Sequence, residues 1–369
     1  MSSFLQVMTG LLAALEASSA APATPDAREI VAAYAREQDK IRGFTVHFRE
    51  ERLGELWAPH LEYARAYVPG RRHEFTKGWF SQDFAQGRSI IRAYDWHTLD
   101  PPHPPIPEHK AIYSIRRWQV CEYIQFASPN PFNVILRAPE GTRPYRENPV
   151  CLLALEFPGR EAVGYILEDP LRLDGQLAGA SLLLRQEQER FGASRCHTVC
   201  AATRFGRITA WFDPQRQYAL AKCVAELTGE HLFQGKPLSR AASKPGVAYR
   251  LDMTVIAFTQ VSGKWLPAKV RVLERYTFPH GDYCTKNRIV ELDSWFINPN
   301  FEAIGAFELT DVPDDSLWRI DLQTQNYLWD GCNLIRTPVG PGLQTHPSTA
   351  GVGAATAPEI GIILCRFWP

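Results

Sequence analysis

The spacing of apolar residues changes period at Gly43. Before it, Ala27, Ile30, Val31, Tyr34 and Ile41 recur at helical intervals and make one apolar stripe. Thr24-Pro25-Asp26 suits the start of that helix, with Thr24 as N-cap, Pro25 at the first helical position and Asp26 in the first turn. Gly43 is expected to end it. After Gly43 the period is two: Phe44, Val46 and Phe48 alternate with Thr45, His47 and Arg49, which predicts a half-buried strand. Leu61, Tyr63 and Tyr67 continue the alternation less cleanly, and Pro69-Gly70 reads as a turn. Further strands are expected around 74–80, 90–96 and 112–126. The proline-rich run from Asp100 to Pro107 reads as a stiff surface loop.

Prolines then interrupt the pattern from about 128 to 178, and Cys151–Phe157 fits a buried strand or a short helix equally well. From Ser181 a meander begins. Cys196, Thr198 and Cys200 share one strand face, and Ile208, Ala210 and Phe212 share the next. Asp213-Pro214 is a turn, and Tyr218, Leu220 and Val224 follow it. Residues 229–247 read as a long polar loop. Leu251, Met253 and Val255 start a strand that Ser262-Gly263-Lys264 turns into Ala268, Val270 and Val272. A last long strand is expected over 285–297, and the Gly-, Pro- and Thr-rich tail from Arg336 to Glu359 as disorder. The pattern has no strand–helix–strand rhythm and no repeat, so the fold class is mainly β (α+β), antiparallel.

Composition narrows the function. Lys plus Arg and Asp plus Glu are 40 each, so the chain lacks the basic excess that nucleic-acid binding requires. No apolar run reaches the ~20 residues of a membrane-spanning helix. The stretch Phe4–Leu15 followed by small residues from Ala17 to Ala23 resembles an export signal, although it lacks a basic start and Glu16 interrupts it. The first cysteine is Cys121, far from that segment, which argues against a lipid-anchored N-terminus. The reading is a leader over 1–23, one domain over 24–332 with an insertion at about 98–178, and a tail over 333–369. The expected location is the periplasm or cell envelope; a cytosolic protein would instead keep its N-terminus and eight reduced thiols.

Candidate chemistry is sparse. Cys196-His197-Thr198-Val199-Cys200 suggests zinc by composition, but two cysteines four residues apart on a strand lie roughly 13 Å apart, and His197 points to the other face. The expectation is core cysteines beside a surface histidine and no metal. No strand-turn serine motif and no phosphate-cradling glycine loop is present. Carboxylates such as Glu50, Glu51, Asp213, Asp252, Glu291 and Asp293 are expected mostly on exposed strand faces. No catalytic residue and no cofactor is assigned, and the chain is expected not to be an enzyme.

The segment from Cys196 to Pro214, with Trp211-Phe212-Asp213-Pro214, then Gly263-Lys264-Trp265-Leu266-Pro267, Ile297-Asn298-Pro299-Asn300 and Phe307, resembles the LolA/LolB-like superfamily of bacterial envelope proteins, in its uncharacterised branch. The likeness covers roughly residues 26–53 and 180–330 and contains no functional-site motif. It implies a strongly curved antiparallel sheet, an incomplete β-barrel closed by the N-terminal helix, with an apolar concave face that holds acyl chains in the lipoprotein carriers. On that reading the lining residues are Phe44, Val46, Phe48, Ile208, Phe212, Val270 and Val272. The partners would be a lipid or lipoprotein acyl chains. The middle insertion is a candidate plug. An alternative function is an envelope protein-interaction or sensing module without a small ligand, using 98–108 and 229–247.

Overall fold

The structure is a computed structural model and describes residues 25–57, 70–86, 88–100, 109–116, 119–126, 133–137, 157–167, 171–185, 188–191, 194–233, 236–242, 246–307, 317–320, 325–329 and 334–336. The leader, Leu61–Tyr67, the proline-rich loop, Cys151–Glu156 and the C-terminal tail from 337 lie outside these residues.

Helix α1 runs Ala27–Asp39 and buries Ala27, Ile30, Val31 and Tyr34. Its N-cap is Asp26, not Thr24. The Asp26 carboxylate accepts from the Glu29 amide and the Glu29 carboxylate accepts from the Asp26 amide, a reciprocal capping box. Gly43 does not end the helix but opens strand β1 (Gly43–Trp57). A side chain there would meet the Gln82 carbonyl oxygen at 2.5 Å and the Phe301 ring at 2.8 Å, so the position requires glycine for close approach. Asn298 clamps this junction. Its side-chain oxygen accepts from the amides of Arg42 and Gly43 at 2.6 and 3.2 Å, and its side-chain nitrogen donates to the Lys40 carbonyl at 3.1 Å.

The strands are β2 (Gly70–Asp83), β3 (Arg88–Asp100), β4 (His109–Arg116), β5 (Gln119–Phe126), β6 (Asn133–Arg137), β7 (Ser181–Leu184), β8 (Glu189–Phe191), β9 (Ser194–Thr203), β10 (Gly206–Asp213), β11 (Ala219–Thr228), β12 (Leu232–Phe233), β13 (Lys236–Pro237), β14 (Ala248–Val261), β15 (Lys264–Thr277), β16 (Tyr283–Ile297), β17 (Leu317–Ile320), β18 (Gln325–Trp329) and β19 (Leu334–Arg336). All but the β12–β13 pair join one 17-stranded sheet. Its neighbours run β9, β10, β11, β14, β15, β16, β1, β2, β3, β4, β5, β6, β17, β18, β19, with β7 and β8 both on β9. Every contact is antiparallel except β6–β17. Among the described residues no pairing joins β19 back to β7–β9, so the sheet stays open. The strand expected over 112–126 is a hairpin of two, β4 and β5.

One other expectation is corrected. Residues 229–247 are not a polar loop: they carry the β12–β13 hairpin and helix α3 (Leu238–Ala241), and they bury Phe233, Leu238, Ala242 and Val247 in the core. Val224 does not share a face with Leu220. Trp211 pairs with Lys222 but Phe212 with Leu220, so Ala221 is an extra residue in β11. That bulge sends Leu220, Cys223 and Ala225 to the main core and Val224 to a small cluster with Cys196 and Trp211 on the opposite face.

The main core lies on the concave side. Residues 157–167 and 171–177 enter it as a plug, with a 3-10 turn at Arg160–Val163 and helix α2 (Leu173–Leu177). The Gln176 amide nitrogen donates to the carbonyls of Ile166 and Leu171 at 3.1 and 3.0 Å, which satisfies part of a loop that no strand can pair. Gly164 sits at φ +95°, and a side chain there would lie 2.0 Å from the Tyr34 hydroxyl. Gly164→Ala should therefore lower stability by about 1–3 kcal/mol through strain and overpacking between plug and helix. Urea unfolding checks this: an unchanged midpoint would mean the plug does not press on α1.

Candidate functional site

All seven residues expected to line a cavity are brought together. Phe44, Val46, Phe48, Ile208, Phe212, Val270 and Val272 are buried and belong to one apolar cluster on the concave face. They do not face open space. Phe212 packs on Tyr34 of α1 with ring centroids 5.3 Å apart. Phe44 meets Phe80, Phe84, Trp295 and, from the plug, Phe157 at 5.2–6.3 Å. The cavity touching Phe44 measures about 20 Å³, room for roughly one water molecule.

Charge lies in the same face, where the sequence reading expected exposed carboxylates. Along β1 the side chains facing the core are Phe44, Val46, Phe48 and then Glu50, which is 3% exposed. Asp213, at the end of β10, is buried too, as the cap of the Pro214–Arg216 turn and the ion-pair partner of Arg216. Arg288 on β16, 1% exposed, is the centre of the concave charges. One guanidinium nitrogen donates to the Glu274 carboxylate at 2.7 Å and to the Glu161 carboxylate; the other donates to Glu50 at 3.4 Å and to the Pro158 carbonyl at 3.3 Å. Glu50 and Glu274 belong to the sheet, whereas Pro158 and Glu161 belong to the plug. Strand register places Arg52 directly opposite Arg288, a repulsive pairing by itself. Arg52 is held by Glu50 at 2.9 Å and by Glu74 at 2.8 Å. Arg160 approaches Glu161 at 3.2 Å.

The electrostatics follow from this geometry. Burial by itself would raise the Glu274 carboxyl, but Arg288, Lys286, Arg160 and Arg52 outweigh it and hold it down at about 2. Glu50 is lowered on the same balance, with Arg52 and Arg288 opposing burial. Burial, reinforced by Arg52, pushes Lys286 down to about 8. The signs give opposite limbs. Glu274 stabilises the fold fully above its ordinary 4.5, and that contribution is lost as pH falls toward about 2. Lys286 holds its proton more weakly folded than unfolded, so its contribution grows as pH rises from about 8 to 10.5. In urea titrations from pH 3 to 10, the stability difference between wild type and Lys286→Met should change in wild type's favour above pH 8. A difference flat across that window would refute the assignment.

The cysteine–histidine segment divides between faces. Cys196 packs with Trp211, Ala221 and Val224 on the outer side. His197 is not a surface residue: it is buried, opposite Phe212 in the register, beside Tyr218 and 3.2 Å from the Gln188 amide nitrogen. Burial lowers its pKa, which favours the neutral ring. Among the described residues no cluster suits a metal ion. Burial pushes the thiols of Cys196, Cys223 and Cys284 up to about 12, which leaves negligible thiolate at neutral pH. His197 also borders an opening of about 560 Å³ between the start of α1 and β7–β9, with Asp26, Leu182, Leu184, Arg185 and Gln188.

No protein-family model and no curated protein matches the sequence. Among solved structures, a DUF1329 family protein from Desulfovibrio piger aligns at 9% identity and TM-score 0.36, over 79% of this chain and 100% of that one. A beta-barrel-like protein of domain of unknown function DUF1849 from Brucella abortus aligns at 11% identity and TM-score 0.21, over 70% and 100%. Lipovitellin, in a structure concerned with its lipid–protein interactions, aligns at 9% identity and TM-score 0.28, over 70% of this chain but 25% of its own. At those scores the likenesses say nothing of what this chain binds. The class stands on its own geometry: an open antiparallel sheet of many strands with few helices. Among the described residues no helix is long and apolar enough to cross a membrane, which leaves strands untested.

Proposed function

We propose that this chain is a non-enzymatic envelope protein of LolA/LolB-like type whose half-barrel binds a lipid or another hydrophobic ligand against its concave face. The observation that supports the reading is how that face is covered. Among the described residues its cover is helix α1, the β12–β13 hairpin with α3, and the plug, residues 157–167 and 171–177, which brings its own apolar side chains.

Magnitudes decide which ligands are worth considering. The plug buries Phe157, Ile166, Leu167, Leu173 and Leu177. At roughly 1.5–3 kcal/mol each, that is on the order of 10 kcal/mol as an upper estimate. A ligand that takes the plug's place must offer comparable apolar surface. At about 0.8 kcal/mol per buried methylene, this means a chain of roughly a dozen carbons or more. Small apolar molecules fall short, and acyl chains do not.

The test is native mass spectrometry of protein purified from the envelope fraction of its cells, beside displacement of an environment-sensitive dye by acyl compounds. Co-purifying lipid and saturable displacement are expected. Protein that carries no lipid and releases no dye would remove the reading. Intact mass adds the location: export predicts loss of roughly the first 20 residues, whereas a full-length mass with eight alkylated cysteines from a cytosolic fraction would overturn it.

A further inference from the structure

We infer that the ligand is a long-chain carboxylate, and that Glu161 of the plug occupies the seat on Arg288 that the ligand's carboxylate takes. This rests on the proposed binding of a hydrophobic ligand and adds the head group.

The argument is complementarity between the plug and what it covers. The plug presents two chemistries to the sheet, apolar side chains to the floor around Phe44 and Phe80, and one carboxylate to Arg288. A fatty acid presents the same two in one molecule. The guanidinium is 1% exposed and fixed from the sheet side by Glu50 and Glu274, so it stays in place when the plug leaves. What the plug removes on leaving is the Glu161 carboxylate and the Pro158 carbonyl. A buried N–H donor without an acceptor is costly, and a charged acceptor satisfies it about twice as strongly as a neutral one. A carboxylate therefore restores the arrangement. An alcohol restores it partly, and an amine adds a cation beside Arg52, Lys286 and Arg288. The other Glu161 oxygen is buried without a hydrogen-bond partner, so the plug's carboxylate is held by one oxygen only. A free ligand, not tethered to a backbone, can bring both of its oxygens to bear.

The experiment uses the whole chain and a polyene fatty acid that fluoresces when buried, with saturated acid, alcohol and amine of equal chain length as competitors. In wild type the acid should compete on the order of tenfold better than the alcohol, and the amine least. Glu161→Gln weakens the plug's hold but leaves Arg288 with Glu50 and Glu274. It should raise acid affinity about tenfold while keeping the acid-over-alcohol preference. Glu161→Gln with Arg288→Met should abolish the preference. Should that double variant not fold, the wild-type and Glu161→Gln rankings decide alone. Equal binding of acid and alcohol overturns the head-group assignment but leaves lipid binding standing. Acid affinity unchanged by Glu161→Gln also overturns it and points to the opening beside Arg185. No binding of any competitor overturns the inference together with the function beneath it.

Discussion

Arg288→Met should lower the stability of this protein by about 3–5 kcal/mol, because it leaves buried carboxylates without their shared cation. Glu50, Glu161 and Glu274 all reach the same guanidinium, and each is at most 3% exposed. Methionine keeps much of the volume, so the loss is electrostatic and not a cavity. Arg52 still meets Glu50, and Arg160 still meets Glu161. Glu274 loses its hydrogen bond from Arg288 at 2.7 Å and keeps only the electrostatic pull of Lys286, Arg160 and Arg52. The distinguishing signature is coupling. Adding Glu274→Gln to Arg288→Met removes the stranded charge and should recover about 1–3 kcal/mol, whereas Glu274→Gln alone destabilises. Urea unfolding of the four proteins completes the cycle. Additive losses, or a single-variant loss under 1 kcal/mol, would mean that the network contributes little.

The buried charges also show where reading the sequence succeeds and where it stops. Alternation placed Phe44, Val46 and Phe48 on one face of β1, and Val270 and Val272 on one face of β15. Those faces are the core because strand periodicity is strict. The same strictness puts Glu50 in phase with Phe48, Glu274 in phase with Val272, and Arg288 in phase with Val290. The signal was therefore in the sequence, three charged residues in register with apolar neighbours on strands that adjoin. It was hidden by the prior that carboxylates on strands are exposed, which holds for single strands and fails where a cation is one strand away. The bulge at Ala221 was not legible, since one extra residue reverses faces and leaves no compositional mark. The plug was legible only as the whole insertion at about 98–178, not as the particular residues that fill the core. Pro158 and Gly164 break any period across Phe157–Leu177, and its apolar residues are positioned by the sheet they enter rather than by local structure. The hairpin and helix within 229–247 were missed for a related reason: Phe233, Leu238, Ala242 and Val247 are too widely spaced to repeat.

Phe44→Ala should cost about 3–5 kcal/mol, the range for truncating a buried aromatic that its surroundings cannot refill. Phe44 is where the separate parts of the concave core meet. Phe80 comes from β2, Trp295 from β16, Phe84 from the turn after β2, and Phe157 from the plug, all with ring centroids within 6.3 Å. Collapse into the vacancy is restricted on each side. Phe80 and Phe157 already stack on one another at 4.8 Å. The Trp295 indole nitrogen is held by the Pro267 carbonyl at 3.1 Å, and Gly43 leaves the backbone pressed against Phe301. The existing void of about 20 Å³ beside Phe44 would merge with the new one and enlarge it. The substitution therefore reports on two things at once. Stability should fall by the stated amount in urea unfolding, and a ring-sized site should open beside the plug, visible as binding of benzene or xenon that wild type lacks. A loss below about 1.5 kcal/mol, with no such binding, would show that the plug relaxes onto the sheet. That outcome would mean that the concave core does not rest on a rigid aromatic junction.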